Sequence, residues 1–317
     1  MRAIVIEKFG GPEVLKLQDV ERPSPGPKEL LVKVHASGTN PVDAKMRAHG
    51  GSRGVKLPAV LGLDASGTVE DVGPGVTDFS IGDEVYYSPR IGAPHPGTYA
   101  EYHVVEEEIV ASKPRGLSHV EAAAVPLAGS TAWQLLIDRM HLEPGETLLL
   151  HGGAGGVGTF ALQIAKAAGA RVLATASAGN QDLLKQLGAD LAIDYRSDDP
   201  AEVALEVTDG RGADVVFDTV GGETVQQSLR ATREFGRLGA ILGPTGDLTA
   251  LYRRNLTLHG SMMTRNRKQL LSLSALIERG QLNPVVDEVL PLEQVGRAHE
   301  RLDSGHGRGK VVLNIAE

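Results

Sequence analysis

The stretch Thr147-Leu148-Leu149-Leu150-His151-Gly152-Gly153-Ala154-Gly155-Gly156-Val157-Gly158 decides how this chain is read. Its first five residues form an apolar run of strand length, and the Ala-rich residues that follow the glycines carry helical spacing. Gly153, Gly155 and Gly158 satisfy G-x-G-x-x-G. Among 39 glycines that pattern alone carries little weight, and the strand before it and the helix behind it supply the rest. Such a turn needs glycine where the chain reverses and where a pyrophosphate nears the backbone. The helix start then offers N–H groups and a positive dipole end to phosphate. The alternative, a glycine turn shaped by packing alone, is disfavoured by the alternation that follows.

From Glu146 onward strands and helices alternate. Strands are predicted at 147–151, 171–175, 190–194, 214–218, 237–242 and 256–261, and helices at 157–168, 181–187, 200–207 and 223–231. Six strands in this alternation imply a doubly wound parallel sheet. The first 120 or so residues read differently. Strands at 1–7, 30–36, 65–72, about 81–87 and 97–105 are spaced by Arg22-Pro23-Ser24-Pro25-Gly26-Pro27 and Gly73-Pro74-Gly75. They suggest a partly closed β-barrel or a compact sandwich-like domain. Ser118-His119-Val120-Glu121 matches a capping box, and a helix is predicted over 129–140 with Trp133, Leu136 and Ile137 on one face. A last helix is expected at 268–279. The strand-like tail 310–315 is expected to return to the first domain's sheet.

Whole-chain properties narrow the class. A length of 317 residues suggests two domains. The formal charge of −8 speaks against a nucleic-acid partner. Without cysteine, disulfides and thiolate-ligated metals are excluded. The N-terminus is apolar for only four residues before Glu7, too short for a signal peptide, and no run approaches the roughly 18 apolar residues of a membrane span. A cytoplasmic enzyme with neither nucleic-acid nor membrane partner is the default reading.

The end of the second strand discriminates between dinucleotides. Units that bind NAD carry an Asp or Glu about 20 residues after the glycines to hold the ribose 2′-hydroxyl. Here the region is Ala174-Thr175-Ala176-Ser177-Ala178-Gly179-Asn180, with no acid to repel a 2′-phosphate. Ser177 and Asn180 can donate hydrogen bonds to one, so NADPH is the expected cofactor. Ser177 reads equally as an N-cap of the next helix.

Several motifs in order resemble the zinc-independent quinone oxidoreductase (zeta-crystallin-type) branch of the medium-chain dehydrogenase/reductase superfamily. They are Gly38-Thr39-Asn40-Pro41-Val42-Asp43, Gly62-Leu63-Asp64-Ala65-Ser66-Gly67-Thr68-Val69, the run from Ala122 through Ser130-Thr131-Ala132-Trp133, the glycine turn, and Leu187-Gly188-Ala189-Asp190 leading to Ile193-Asp194-Tyr195. The resemblance implies a GroES-like partly closed barrel domain (1–124 with 266–317) beside a Rossmann domain (125–265). Zinc-dependent relatives place a His-Glu pair where this chain has Leu63-Asp64. Leucine cannot ligate zinc, and the ten histidines are scattered without a short-spaced pair, so no zinc is expected. His103 and His151 are read as packing or capping residues.

The resemblance also implies site residues. Asn40 and Thr131 are placed near the nicotinamide, although Asn40, before a proline, also reads as a turn former. Asp64 either orients the loop that carries Asn40 or caps a turn. Gly153, Ala154, Gly155, Gly156, Val157 and Gly158 hold the pyrophosphate. Ser177 and Tyr195 contact the adenosine phosphate end, and Arg308 reaches across to the 2′-phosphate. Met46 stands where many relatives have a Tyr, so a proton donor there is in doubt. Tyr86, Tyr87 and Tyr99 remain candidates, Asp43 and Arg47 have no assigned role, and 47–57 reads as a mobile rim.

The leading reading is an NADPH-dependent reductase of small-molecule quinones or α,β-unsaturated carbonyls. The competing class is an NADPH-binding sensor, structural or RNA-binding protein with little turnover. A homodimer paired through the Rossmann edge strand near 256–262 is expected, since pairing would protect its open backbone groups.

Overall fold

The computed structural model describes residues 1–50, 54–90, 96–305 and 307–315. Residues 51–53 of the segment 47–57, read above as a mobile rim, lie outside the described residues. The chain forms two compact units: Met1–Leu127 with Arg265–Glu278 and Pro284–Glu317, and Ala128–Thr264 with Arg279–Asn283.

The second unit is a Rossmann-type sheet. Its strands lie in the order Leu191–Asp194, Arg171–Ala176, Thr147–His151, Ala213–Asp218, Thr232–Ala240 and Thr257–Gly260. Every pairing is parallel. In chain order this is 3-2-1-4-5-6, and the order reverses beside the first strand, where α/β sheets of this kind leave a ligand crevice at the carboxyl ends. Thr147–His151 and Ala213–Asp218 are buried along their whole length. That is why Leu148-Leu149-Leu150 and Val215-Val216-Phe217 appear in the sequence as apolar runs instead of alternating ones. Leu149, Leu173, Val216 and Leu238 pack with Ala204, Val225 and Leu229, and each buried leucine contributes roughly 2 kcal/mol.

The first unit is a GroES-like β fold. The long strand Glu29–Gly38 pairs antiparallel with Ala65–Val72, Tyr102–Glu106 and Lys310–Asn314. The C-terminal strand thus returns to the first unit's sheet, as expected. A smaller sheet joins Lys16–Asp19, Arg2–Ile6 and Ala59–Val60. Ser118 caps His119–Ala123 through the anticipated box: Glu121 N donates to Ser118 Oγ at 3.2 Å, and Ser118 N to Glu121 Oε2 at 2.8 Å.

Three local expectations are corrected. Residues 97–105 are not one strand. Tyr99 exchanges backbone bonds with Leu61 and Ile4, and Ala100 bridges Ala3, before Tyr102–Glu106 joins Glu29–Gly38; the segment changes sheets midway. The helix expected over 129–140 begins earlier, at Pro126, where proline's fixed φ suits a first turn. It then widens into a π-helix at Gln134–Arg139, with Met140 N donating to Leu135 O. The Gln134 side chain is drawn aside to Ser261, Met262 and Thr264, which accompanies the widening. The strand Val286–Pro291 and the helix Val295–Asp303 were not anticipated.

His151 ends the first Rossmann strand. Its Nε2 lies 2.8 Å from Ser228 Oγ, and that hydroxyl already donates to Thr224 O at 2.7 Å. His151 must therefore be the donor, with a proton on Nε2; because burial disfavours its charged form, the ring is neutral at pH 7. Burial pushes its pKa down to about 4, and this packing role agrees with the sequence reading. An unfolded histidine titrates near 6.5. Between these values the unfolded chain binds more protons, so stability falls as pH drops through the window. At pH 5 the cost is about 2 kcal/mol. His151→Gln, which keeps an N–H donor but cannot titrate, is expected to lose about 2 kcal/mol less than wild type between pH 7 and pH 5 in urea melts. Equal losses would refute the assignment.

Candidate active site

In the Rossmann unit the phosphate turn is built by close backbone approach. Gly152 sits at φ +72°, a region that favours glycine, and its N–H donates to Thr175 Oγ1 at 3.1 Å. Gly153 N donates to Thr175 O at 2.9 Å and Gly155 N to Gly152 O at 3.1 Å. A Cβ on Gly158 would stand 2.1 Å from Gly152 O. Glycine at 155 is also the N-cap of the helix Gly156–Ala167, so no side chain caps its first turn. The N–H groups of that turn lack partners within the helix and, with the positive dipole end, are left to an anion. Gly155, Gly156 and Val157 are partly exposed, while Ala154 and Gly158 are buried.

At the carboxyl end of the second strand, Ala176 pairs in register with Asp194 of the third. That register brings Ser177 and Tyr195, the next residue on each chain segment, to the same sheet edge. Ser177 makes no side-chain cap bond to the short 3-10 turn Ala178–Asn180; its Oγ accepts only a long 3.5 Å contact from Asn180 Nδ2. The capping alternative for Ser177 is therefore not the one adopted. Tyr195 is 48% exposed, and Arg196 lies 5.8 Å from its ring centroid. Arg196 was overlooked in the sequence; its signal was the placement of a cation immediately after an already selected residue. Thr131 lies on the helix Pro126–Trp133 of this unit and is buried.

In the GroES-like unit Asn40 precedes the helix Pro41–His49. Its backbone, not its side chain, organises the helix start: Asn40 N donates to Asp43 Oδ2 at 2.8 Å, and Asp43 N to Asn40 O at 2.9 Å. The side-chain amide is committed elsewhere. Asn40 Nδ2 donates to Asp64 Oδ2 at 2.9 Å, and Lys310 Nζ donates to Asn40 Oδ1. The same ammonium donates to Thr39 O at 2.8 Å and to Asp64 Oδ2 at 3.2 Å. Asp64 Oδ1 accepts from Leu127 N at 2.7 Å. Burial pushes the Asp64 pKa up, while Lys310, Asn40 and Leu127 pull it down. Nothing in the sequence around Lys310 marks it as a site residue, and Arg308, two residues earlier, stands out instead by its flanking glycines. Arg308 lies at the surface of this unit, where its Nε donates to Asp287 Oδ1 at 2.6 Å.

A second buried chain runs from Asp43. Tyr99 OH donates to Asp43 Oδ2 at 3.1 Å, His299 Nε2 lies 3.4 Å from Tyr99 OH, and Arg47 bridges His299 Nδ1 and Asp303. Asp43 Oδ1 is buried without a hydrogen-bond partner. Burial and the nearby Asp64 charge raise the Asp43 pKa to about 7. The three candidate tyrosines are all fully buried, and none is an exposed cleft donor. Tyr86 donates to Leu270 O, Tyr87 contacts His103, and Tyr99 serves Asp43. Burial raises each phenol's pKa.

Among the described residues no group of three or more His, Asp or Glu is arranged to hold a metal ion, and no helix is long and apolar enough to cross a membrane.

Comparison with known proteins agrees with this architecture. The alcohol dehydrogenase GroES-like domain model matches residues 26–115, and the zinc-binding dehydrogenase model matches 187–313. The chain is 37% identical to a quinone oxidoreductase of Pseudomonas aeruginosa, covering 98% of this chain and 99% of the relative. It is 36% identical to 2-methylene-furan-3-one reductase of Solanum lycopersicum, covering 99% of this chain and 79% of that protein. A structure described as an NAD-dependent alcohol dehydrogenase superposes with TM-score 0.94 at 38% identity over 100% of both chains. A mycobacterial protein complexed with NADPH superposes with TM-score 0.89 at 34% identity over 99% of this chain and 100% of that one. The chain belongs to the zeta-crystallin-like quinone oxidoreductases of the medium-chain dehydrogenase/reductase superfamily.

Proposed function

We propose that this protein is an NADPH-dependent, zinc-independent oxidoreductase that transfers hydride to quinones or α,β-unsaturated carbonyl compounds. The observation that carries the cofactor choice is the acid-free edge of the second strand. Ser177 offers a hydroxyl there that takes only a long contact from Asn180, and Arg196 supplies a nearby positive charge. The solved relatives include one described as NAD-dependent and one complexed with NADPH, so the choice for this chain rests on its own residues. The glycine cradle fits a pyrophosphate, because a Cβ on Gly158 would collide with the backbone of Gly152 and Gly153 that shapes the turn, and no side chain caps the helix start at Gly155.

NADPH, when bound, supplies the hydride. The protein's share is to hold the partners in a reactive arrangement and to exclude alternatives. Gly153 through Gly158 hold the pyrophosphate, and Ser177 and Tyr195 take the phosphorylated ribose. Asn40 and Thr131 line the nicotinamide end, with Asp64 fixing Asn40. A quinone or enone carbon is already electron-poor, so negative charge moves to the carbonyl oxygen and water provides the balancing proton. No Lewis acid is required for that step. Alcohol oxidation, by contrast, must remove a hydroxyl proton. Zinc independence is supported by Leu63 at the position of a ligand in zinc enzymes, by the lack of cysteine, and by the engagement of both Asp64 oxygens.

We also propose a homodimer. Thr257–Gly260 ends the six-stranded sheet, and pairing with a second copy would cover its open backbone groups. Sedimentation velocity is expected to give a dimer at micromolar concentration; a monomer would count against it.

Two measurements test the catalytic reading. NADPH oxidation with panels of quinones and enones is expected to show turnover with at least one class. Tight NADPH binding with no turnover would place the protein among sensors instead. Ser177→Asp is expected to lower kcat/KM for NADPH by about 10- to 100-fold through repulsion of the 2′-phosphate, with little change for NADH. An unchanged NADPH:NADH ratio would remove Ser177 from the phosphate site.

A further inference from the structure

We propose that Lys310 is a positioning residue that fixes which way the Asn40 amide faces. The inference rests on the reading that Asn40 lines the nicotinamide end. A side-chain amide is nearly symmetric in shape, and nothing in its own geometry chooses between two orientations related by a 180° flip. Here the surroundings choose. Asn40 Oδ1 receives the Lys310 ammonium, and Nδ2 donates to Asp64 Oδ2 at 2.9 Å. Flipping the amide would set its N–H groups against an ammonium and its oxygen against a carboxyl oxygen. Both contacts would be repulsive in a site where Asn40 and Lys310 are 2% and 4% exposed and Asp64 is wholly buried.

The arrangement is exacting for its size. Lys310 has three donors and all are used, on Thr39 O, Asn40 Oδ1 and Asp64 Oδ2. It arrives from the start of the C-terminal strand Lys310–Asn314, and Thr39 N and Oγ1 both donate to Val311 O at 3.0 Å. The strand and the Thr39-Asn40 segment are therefore locked together on each side of the ammonium. Burying an ammonium and a carboxyl group is costly, and well-packed apolar residues of similar volume are often as stable. Stability alone is a poor account of the pair; orientation of the amide between them accounts for its geometry. The consequence for the site is specific. One Nδ2 hydrogen is spent on Asp64, and the other is held in a fixed direction as the donor Asn40 retains.

The test is a double-mutant cycle. Lys310→Met, Asn40→Ala and the double variant are compared by kcat, by KM for the acceptor and by NADPH dissociation constant. Each single variant is expected to lower kcat about tenfold or more with the NADPH dissociation constant within about twofold of wild type. The double variant should be no worse than about twofold below Asn40→Ala, because Lys310 has nothing left to orient. Lys310→Met leaves the Asp64 carboxyl group buried without its cation. Should that variant fail to fold, Lys310→Met/Asp64→Asn removes both charges and replaces it in the cycle, with the same low kcat expected. Full additivity, or a wild-type kcat for Lys310→Met or its charge-neutral replacement beside an impaired Asn40→Ala, overturns the proposal alone. A wild-type kcat for Asn40→Ala overturns the placement of Asn40 and the proposal with it.

Discussion

A methyl group on residue 158 would stand 2.1 Å from the carbonyl oxygen of Gly152. That near contact between two stretches of backbone is the constraint from which the nucleotide unit follows. It lets the first strand turn straight into the helix Gly156–Ala167, which brings the helix start to the carboxyl end of the sheet. It also leaves the first-turn N–H groups without a side-chain cap. A cap would satisfy those donors and add a little stability; its omission keeps the anion-binding capacity of the helix end. The neighbouring histidine shows the same economy in reverse. His151 is buried and neutral at pH 7, with its Nε2 bonded to Ser228, so the strand that delivers the turn adds no charge of its own.

The GroES-like unit solves a different problem, the burial of charge. Asp43, Asp64, Arg47 and Lys310 are all buried, two acids against two cations. The two halves of this set behave differently. Lys310 and Asp64 are joined directly around Asn40, and every donor on the lysine is used. Asp43 and Arg47 communicate only through Tyr99 and His299, and one oxygen of Asp43 has no partner. The well-satisfied half is the one that holds the proposed site residue. Low local dielectric makes satisfied networks rigid and unsatisfied groups costly, so a fixed amide belongs beside the first half and not the second.

Much of the fold could be read from residues close together in sequence. Parallel strands buried on both faces leave apolar runs such as Leu148-Leu149-Leu150, and the Ser118–Glu121 box is confined to four residues. What escaped the reading depends on partners far along the chain. Residues 97–105 look like one strand because their alternation is local, yet they pair first with Arg2–Ile6 and residues 60–62, then with Glu29–Gly38. Val286–Pro291 is short and carries two acids, and the helix Val295–Asp303 has glycine at its second position and no side-chain cap. Lys310 is the clearest case. Its contacts to Asn40 and Asp64 span 270 and 246 residues, and no local pattern separates a buried lysine at the start of a strand from an exposed one. Arg308, flanked by glycines, drew attention for its local context and lies on the surface paired with Asp287.

The same pairing gives a physical ground for chemistry without zinc. Asp64 occupies the place where zinc-dependent relatives carry the acid of their His-Glu pair, beside Leu63. A divalent cation there would compete with the Leu127 amide, or with the Asn40 amide and Lys310, for the carboxyl oxygens. The arriving ion would also meet an ammonium that already sits 3.2 Å from one of the carboxyl oxygens. At effective dielectric constants near 20, like charges a few ångströms apart repel by several kcal/mol. A resident lysine thus stands against a metal in its own neighbourhood. On the proposed function, that suits acceptors whose carbon is electron-poor before the protein touches them, which is where quinones and enones differ from alcohols.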